Sequence, residues 1–134
     1  MKKIIALGLS LIMLMGLTLQ ASAASTVGAL YGCILTVGCD SNGVIVSFSE
    51  NSTTEADEIG CRSIVLVEKS GGKVTKTISI PSGSTSGAYS YADGYLYTGA
   101  VEGRTYYATC THYAKYGSEE KTVDGSTNEM VYRK

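Results

Sequence analysis

The sequence contains no tryptophan, one proline, one phenylalanine and one histidine. Each shortage closes off some functions. Without tryptophan, the common stacking platform for sugar rings, carbohydrate recognition would have to rest on tyrosine. With Pro81 as the sole proline, a sortase signal of the LPxTG kind is absent. With His112 as the sole histidine, a histidine-rich metal site is excluded, and a Ser-His-Asp arrangement has one candidate base. Neither a G-x-S-x-G turn nor an H-E-x-x-H pair occurs. No run of lysine and arginine is present, which argues against nucleic acid and anionic membrane surfaces as partners. Long amphipathic helical patterns are missing too. What remains is rich in Gly, Ser, Thr, Val and Tyr, a composition suited to β-structure.

The start of the chain addresses export. Lys2 and Lys3 precede an apolar run, Ile4 to Leu19, and Ala21-Ser22-Ala23 follows. A basic region, an apolar region and a small-residue cleavage site make a signal peptide. The run is about 16 residues, short of the roughly 20 that span a bilayer. Residues 1–23 are therefore expected to be removed and residues 24–134 to form one secreted, extracellular domain. No cysteine stands beside the cut to take a lipid, and no second apolar run follows. Without Lys2 and Lys3 the remainder carries 9 basic and 12 acidic residues, a net charge of −3.

All four cysteines, Cys33, Cys39, Cys61 and Cys110, lie beyond Ala23. An even count in an exported chain predicts two disulfides. Three pairings exist. If Cys61 opens a strand antiparallel to the one carrying Cys110, the pairs are Cys61–Cys110 and a local Cys33–Cys39 clip. A metal site or reactive thiol is not expected, because CxxC spacing and a second histidine are both lacking.

Alternation and turn chemistry predict the strands. Ala29 to Val37 is a first strand, and Asn42-Gly43 turns it into Val44 to Ser49. Asp40-x-Asn42-Gly43 has the beginnings of a calcium loop, but the remaining ligands are missing, so it reads as turn chemistry. Glu50 to Gly60 reads as an acidic connection with one helical turn over Thr54–Ile59. Ser63 to Glu68 is apolar on both faces, a central strand. Ser70-Gly71-Gly72 turns it into Val74 to Ile80, an edge strand guarded by Lys73 and Lys76. Pro81 to Gly87 reads as a flexible loop. Ala88 to Ala100 is a strand that Asp93-Gly94 either bulges or folds into a small hairpin, the bulge being preferred. Val101 to Tyr116 is the strand around which the rest is organised, with Tyr106, Ala108, Cys110 and His112 sharing one face. Gly117 to Gly125 reads as a hairpin loop and Asn128 to Arg133 as a last strand. Seven short strands with turn signals between them predict an all-β, seven-stranded antiparallel β-sandwich.

Val44-Ile45-Val46-Ser47-Phe48 resembles the second strand of fibronectin type III and related immunoglobulin-like modules, with Phe48 at the usual tryptophan position. Gly103-Arg104-Thr105-Tyr106 is similar to the Gly-Thr-x-Tyr corner of that family. The resemblance spans Gly43 to Tyr113 and lacks the tryptophan and the corner proline. It implies a sandwich whose corner tyrosine bonds back to the backbone. Tyr107 is the alternative corner residue, and Tyr106 is preferred because it turns Ala108 and Cys110 inward. A shared fold of this kind implies no active site.

Cys110 and His112 share a face and superficially resemble a nucleophile–base pair. In an exported chain with paired cysteines Cys110 is expected to be bridged, and catalysis is not expected. The carboxylate pairs Asp57/Glu58 and Glu119/Glu120 fall in segments expected to be exposed. Lys76 and Asn128 are the candidates, by strand placement alone, for a Lys–Asn cross-link. Tyrosine is the one feature above background: eight of the ten lie between Tyr89 and Tyr116. Tyr89, Tyr91, Tyr95, Tyr97, Tyr113 and Tyr116 make a candidate binding face. The expectation is a monomeric, non-catalytic module without cofactor or metal, binding a protein or glycan at the cell surface or in the medium. The alternative is an inhibitor or toxin-like effector acting through the Glu50–Gly60 or Pro81–Gly87 loop. A hydrolase would require a pocket holding His112 and a carboxylate.

Overall fold

The computed structural model describes residues 28–134; the expected signal peptide lies outside the described residues. The strands are β1 (Leu30–Asp40), β2 (Gly43–Ser70), β3 (Lys73–Ile80), β4 (Gly83–Tyr97), β5 (Thr105–Tyr116), β6 (Glu119–Ser126) and β7 (Met130–Val131). All pairings are antiparallel, no helix occurs among the described residues, and the seven strands form one sheet curled into a half-barrel.

The 28-residue β2 organises the sheet. Its first half pairs with β1 on one side and β4 on the other. Its second half pairs with β3 and β5, and residues 58–61 lie between β4 and β5. β6 and β7 pair with β5. Two interruptions let so long a strand curl. The register against β4 shifts between Asn51 and Ala56, and that against β5 shifts between Arg62 and Val65. At the second, Ser63 takes a left-handed φ of 52°.

The expected acidic connection is thus part of a strand. Glu50, Ser52, Ala56 and Ile59 point inward while Thr53, Glu55 and Asp57 stay exposed, so no helical turn forms. The Pro81–Gly87 stretch likewise enters β4 at Gly83, and β4 passes through Asp93-Gly94 in unbroken register, with neither bulge nor hairpin. The Gly117–Gly125 segment forms a tight turn and then β6. The strand total of seven arises differently from the expectation: two expected strands fuse into β2, and β6 is added.

Both expected glycine-containing turns occur, the first one residue earlier than the Asn42-Gly43 pair suggests, with Gly43 already in β2. Ser41-Asn42 closes the β1–β2 hairpin, and Asp40 Oδ1 accepts the Asn42 and Gly43 amides at 2.7 and 3.2 Å. Gly71 and Gly72 have φ of 58° and 79°, the doubly left-handed turn that suits a two-residue hairpin. β3 pairs only with β2 and is an edge.

The main core draws on both halves of the curl. Val44, Val46 and Phe48 from the first half of β2 pack with Ile64, Leu66, Ile80, Tyr106, Ala108 and Tyr132. Each such large apolar side chain contributes about 1.5–3 kcal/mol on burial. A smaller cluster, Ala56, Ile59 and Ala114, fills the far end.

Candidate functional site

β5 runs beside the second half of β2, and alternation turns Cys110 and His112 to its inner face. Cys61 sits directly opposite His112 in the β2–β5 register. Glu50 reaches the same place from the first half of β2, because the curl returns that half over the core. All four side chains are buried: Glu50 is 0%, Cys61 0%, His112 1% and Cys110 5% exposed.

Their contacts form a chain. His112 Nδ1 donates to Glu50 Oε1 at 2.6 Å, and His112 Nε2 lies 3.4 Å from Cys110 Sγ. Cys61 Sγ, Cys110 Sγ and a ring nitrogen of His112 lie within 4.8 Å of one another. Glu50 Oε2 is buried with no hydrogen-bond partner among the described residues. On β6, Gly125 pairs with Cys110, and a Cβ there would come within 2.8 Å of His112 Nε2 and 3.0 Å of Cys110 Sγ. The bare glycine leaves those two groups their space. Cys33, half-buried in the β1 irregularity between Tyr31 and Ile34, lines a cleft of about 410 Å³ together with His112 and Gly125.

The electrostatics follow from these contacts. A hydrogen bond from Cys61 pulls the Cys110 thiol down to about 6 against the cost of burial, and His112 assists. The same contact and burial push the Cys61 thiol well up. Burial alone would lower the His112 pKa, but Cys110 and Glu50 outweigh it and raise it to about 9. For Cys33, burial and the nearby Glu50 charge raise the thiol. These shifts favour a thiolate on Cys110 and a protonated ring on His112. Such a set can serve a nucleophile or a metal ion. Cys110 and His112 are 5% and 1% exposed, and His112 lines the cleft beside Cys33.

No family model, curated protein or solved structure matches the chain.

The expected disulfides are absent: all four cysteines are free. Cys33 and Cys39 share β1, six residues apart, so roughly 20 Å of extended chain separates them. Cys110 sits diagonally from Cys61, opposite the Ser63–Ile64 irregularity. Diagonal neighbours stand about 7–8 Å apart at Cα, beyond the usual 4.4–6.8 Å span of a disulfide. Cys39 lies apart from the others, exposed, with its sulfur 3.9 Å from the Arg133 carbonyl.

The six tyrosines do not form one face. Tyr113 is buried, its hydroxyl on Glu58 and the Arg62 guanidinium 4.7 Å from its ring centre. Tyr116 is half-buried and shares a hydrogen bond with Ser52. On β4, Tyr91 and Tyr97 stand opposite Glu50 and Val44, on the core side of the register. Tyr91 packs on Phe48 at 6.1 Å between ring centres, and the Tyr97 hydroxyl accepts from Lys76 at 3.2 Å. Only Tyr89 and Tyr95 are exposed, at 58% and 40%. The outward register of β4 is Ser90, Ala92, Gly94 and Leu96.

That outward register completes a surface the sequence did not reveal. Ile34–Ser49–Ala92, Thr36–Ser47–Gly94 and Gly38–Ile45–Leu96 form three cross-strand rows over β1, β2 and β4. Small and hydroxyl side chains floor a trough of about 420 Å³. Ile34 (54% exposed) lines it, and Leu96 (40%) projects from the adjacent Gly38–Ile45–Leu96 row. The carboxylate pairs take structural roles: Asp57 accepts the Gly117 amide, Glu58 holds Tyr113 and Lys115, and Glu120 pairs with Arg62.

Proposed function

We propose that this chain is an exported, non-catalytic β-sandwich domain that binds a protein or glycan on the outward face of β1, β2 and β4. The two layers of the sandwich are the two halves of the curled sheet, whose side chains meet in a common core. The observation that carries the binding reading is the trough itself. Exposed Ile34 lines a floor of Thr36, Ser47, Ser49, Ala92 and Gly94, and exposed Leu96 stands on the next cross-strand row of the same face. Apolar side chains beside hydroxyls suit a flat or extended partner. Tyr31 on β1, exposed and paired with Asn51 in the outward register, extends the apolar surface along that strand.

The effector alternative loses its instruments, since both of its expected loops are strand. Immobilised protein incubated with native cell-surface and medium fractions tests the proposal. Ile34→Asp and Leu96→Asp are expected to abolish capture, while Val74→Asp, at an equally exposed apolar position on β3, leaves it unchanged. Capture lost on Val74→Asp and kept on the other two would place the contact elsewhere. Export is tested by N-terminal sequencing of the protein from the medium, which should begin at Ala24.

A further inference from the structure

The Glu50–His112–Cys110–Cys61 cluster plays no part in surface recognition, yet its members are costly to bury. An ionisable group in a core is retained when it is paired or when it holds an ion. Three of the four are soft or borderline ligands converging on one point, and the fourth fixes the orientation of one of them.

We propose that Cys61 Sγ, Cys110 Sγ and His112 Nε2 bind one Zn²⁺ ion, with Glu50 as the positioning residue for His112. Four features converge, two on the spacing of the ligand atoms and two on Glu50. The three ligand atoms lie within 4.8 Å of one another on neighbouring strands. The Cys110 Sγ to His112 Nε2 separation is 3.4 Å. Zinc bonds of about 2.3 Å to sulfur and 2.0–2.1 Å to nitrogen at a tetrahedral angle place such atoms about 3.5–3.6 Å apart, within about 0.2 Å of that separation. Glu50 Oε1 takes the Nδ1 proton, which presents Nε2 to the sulfurs, the carboxylate–histidine arrangement that supports metal ligands. Glu50 Oε2 remains buried without a hydrogen-bond partner among the described residues, a polar atom beside the ligands that the protein leaves unsatisfied.

The site also has an approach. The cleft lined by Cys33, Leu35, His112 and Gly125 leads from solvent to the histidine. On binding, any proton still held by Cys61 Sγ, Cys110 Sγ or His112 Nε2 leaves to solvent as the cation takes its place. No electron is transferred. The site is made from two strands distant in sequence, so occupancy ties the second half of β2 to β5 and stabilises the folded state.

The test is metal titration of the full-length purified protein, kept reduced. Zn²⁺ is expected to bind at one equivalent and raise the melting temperature. Co²⁺ should give thiolate-to-metal charge-transfer bands and the ligand-field bands of a four-coordinate site. Cys61→Ser, Cys110→Ser and His112→Gln should each lose these bands and weaken Zn²⁺ by more than about 100-fold. Glu50→Gln should keep the bands and weaken binding about 10–100-fold. Cys39→Ser, at the exposed cysteine outside the cluster, should change nothing. Circular dichroism on each variant shows that the β-fold persists. Reduced, folded wild-type protein that takes up no Co²⁺ overturns the proposal. So does Zn²⁺ uptake that Cys39→Ser diminishes as much as Cys110→Ser, or protein purified without reductant that carries a Cys61–Cys110 disulfide and refuses metal.

Discussion

The Tyr106 hydroxyl donates to Glu68 Oε2 at 2.7 Å while accepting the Val101 amide at 2.8 Å. These two residues face each other in the β2–β5 register. Glu68, 2% exposed, also accepts Thr75 Oγ1 at 2.8 Å and pairs with Arg104. One buried carboxylate thereby joins β2, β3, β5 and the corner before β5.

Removing that carboxylate should cost more than removing any one of its partners. Glu68→Ala strands the buried Tyr106 hydroxyl and unpairs Arg104, a loss of about 3 kcal/mol. Arg104→Ala, at a side chain 38% exposed, should cost about 1 kcal/mol. Urea unfolding of the two variants checks the order; equal losses would show that Glu68 is not the hub.

The same carboxylate sets a pH dependence. Burial would raise its pKa, but the hydrogen bonds from Tyr106, Arg104 and Thr75 outweigh burial and hold it below 4.5. A depressed carboxyl stabilises the fold above its unfolded value and loses that contribution as pH falls through its folded value. The stability gap between wild type and Glu68→Gln should be constant from pH 7 to about 5 and close below about 4.5. A gap that widens on acidification would contradict the assignment.

Tyr106 and Tyr107 are adjacent and chemically identical, yet their hydroxyls should differ in value. Tyr106→Phe leaves the Val101 amide and a Glu68 oxygen without their partner, at about 1–3 kcal/mol. Tyr107, half-buried, makes no side-chain hydrogen bond among the described residues, and Tyr107→Phe should stay within about 0.5 kcal/mol. Thermal melts of the pair decide it. The inward choice of Tyr106 was legible from alternation alone, because only that register buries Ala108 and Cys110. Glu68 was not legible: a glutamate closing an apolar strand looks exposed until Arg104 is brought to it from 36 residues away.

Ser63 is a single non-glycine residue with a left-handed backbone among the described residues, and it is exposed. Ser63→Gly relieves a cost of about 1–2 kcal/mol and adds unfolded-chain entropy, for a net gain of about 0.5 kcal/mol. Ser63→Val should lose more than 1 kcal/mol, since a β-branched residue tolerates that conformation poorly. If valine is accepted as readily as glycine, the interruption in β2 does not depend on this residue.

Thiol accessibility separates the cysteines. In reduced, metal-free protein, pulsed alkylation read by mass spectrometry should modify Cys39 first and Cys33 next. Cys61 and Cys110 should react only under unfolding conditions, in accord with their burial. Labelling of Cys110 as fast as Cys39 would show that the cluster opens to solvent.

By itself the sequence determined the features that neighbouring residues dictate. Alternation and β-branched content set an all-β chain. Gly71-Gly72 sets one hairpin, because few other residues accept those backbone angles, and the Asp40-Ser41-Asn42-Gly43 stretch sets another through the Asp40 side chain. The tertiary structure alone decided which side chains meet. An acidic stretch such as Glu50–Gly60 is locally a loop and becomes strand only because β1, β4 and β5 satisfy its backbone. Whether Cys61 and Cys110 bridge, and whether Glu50 finds His112 across 62 residues, depends on register and curl. Those are set by long-range pairing, and no local pattern encodes them.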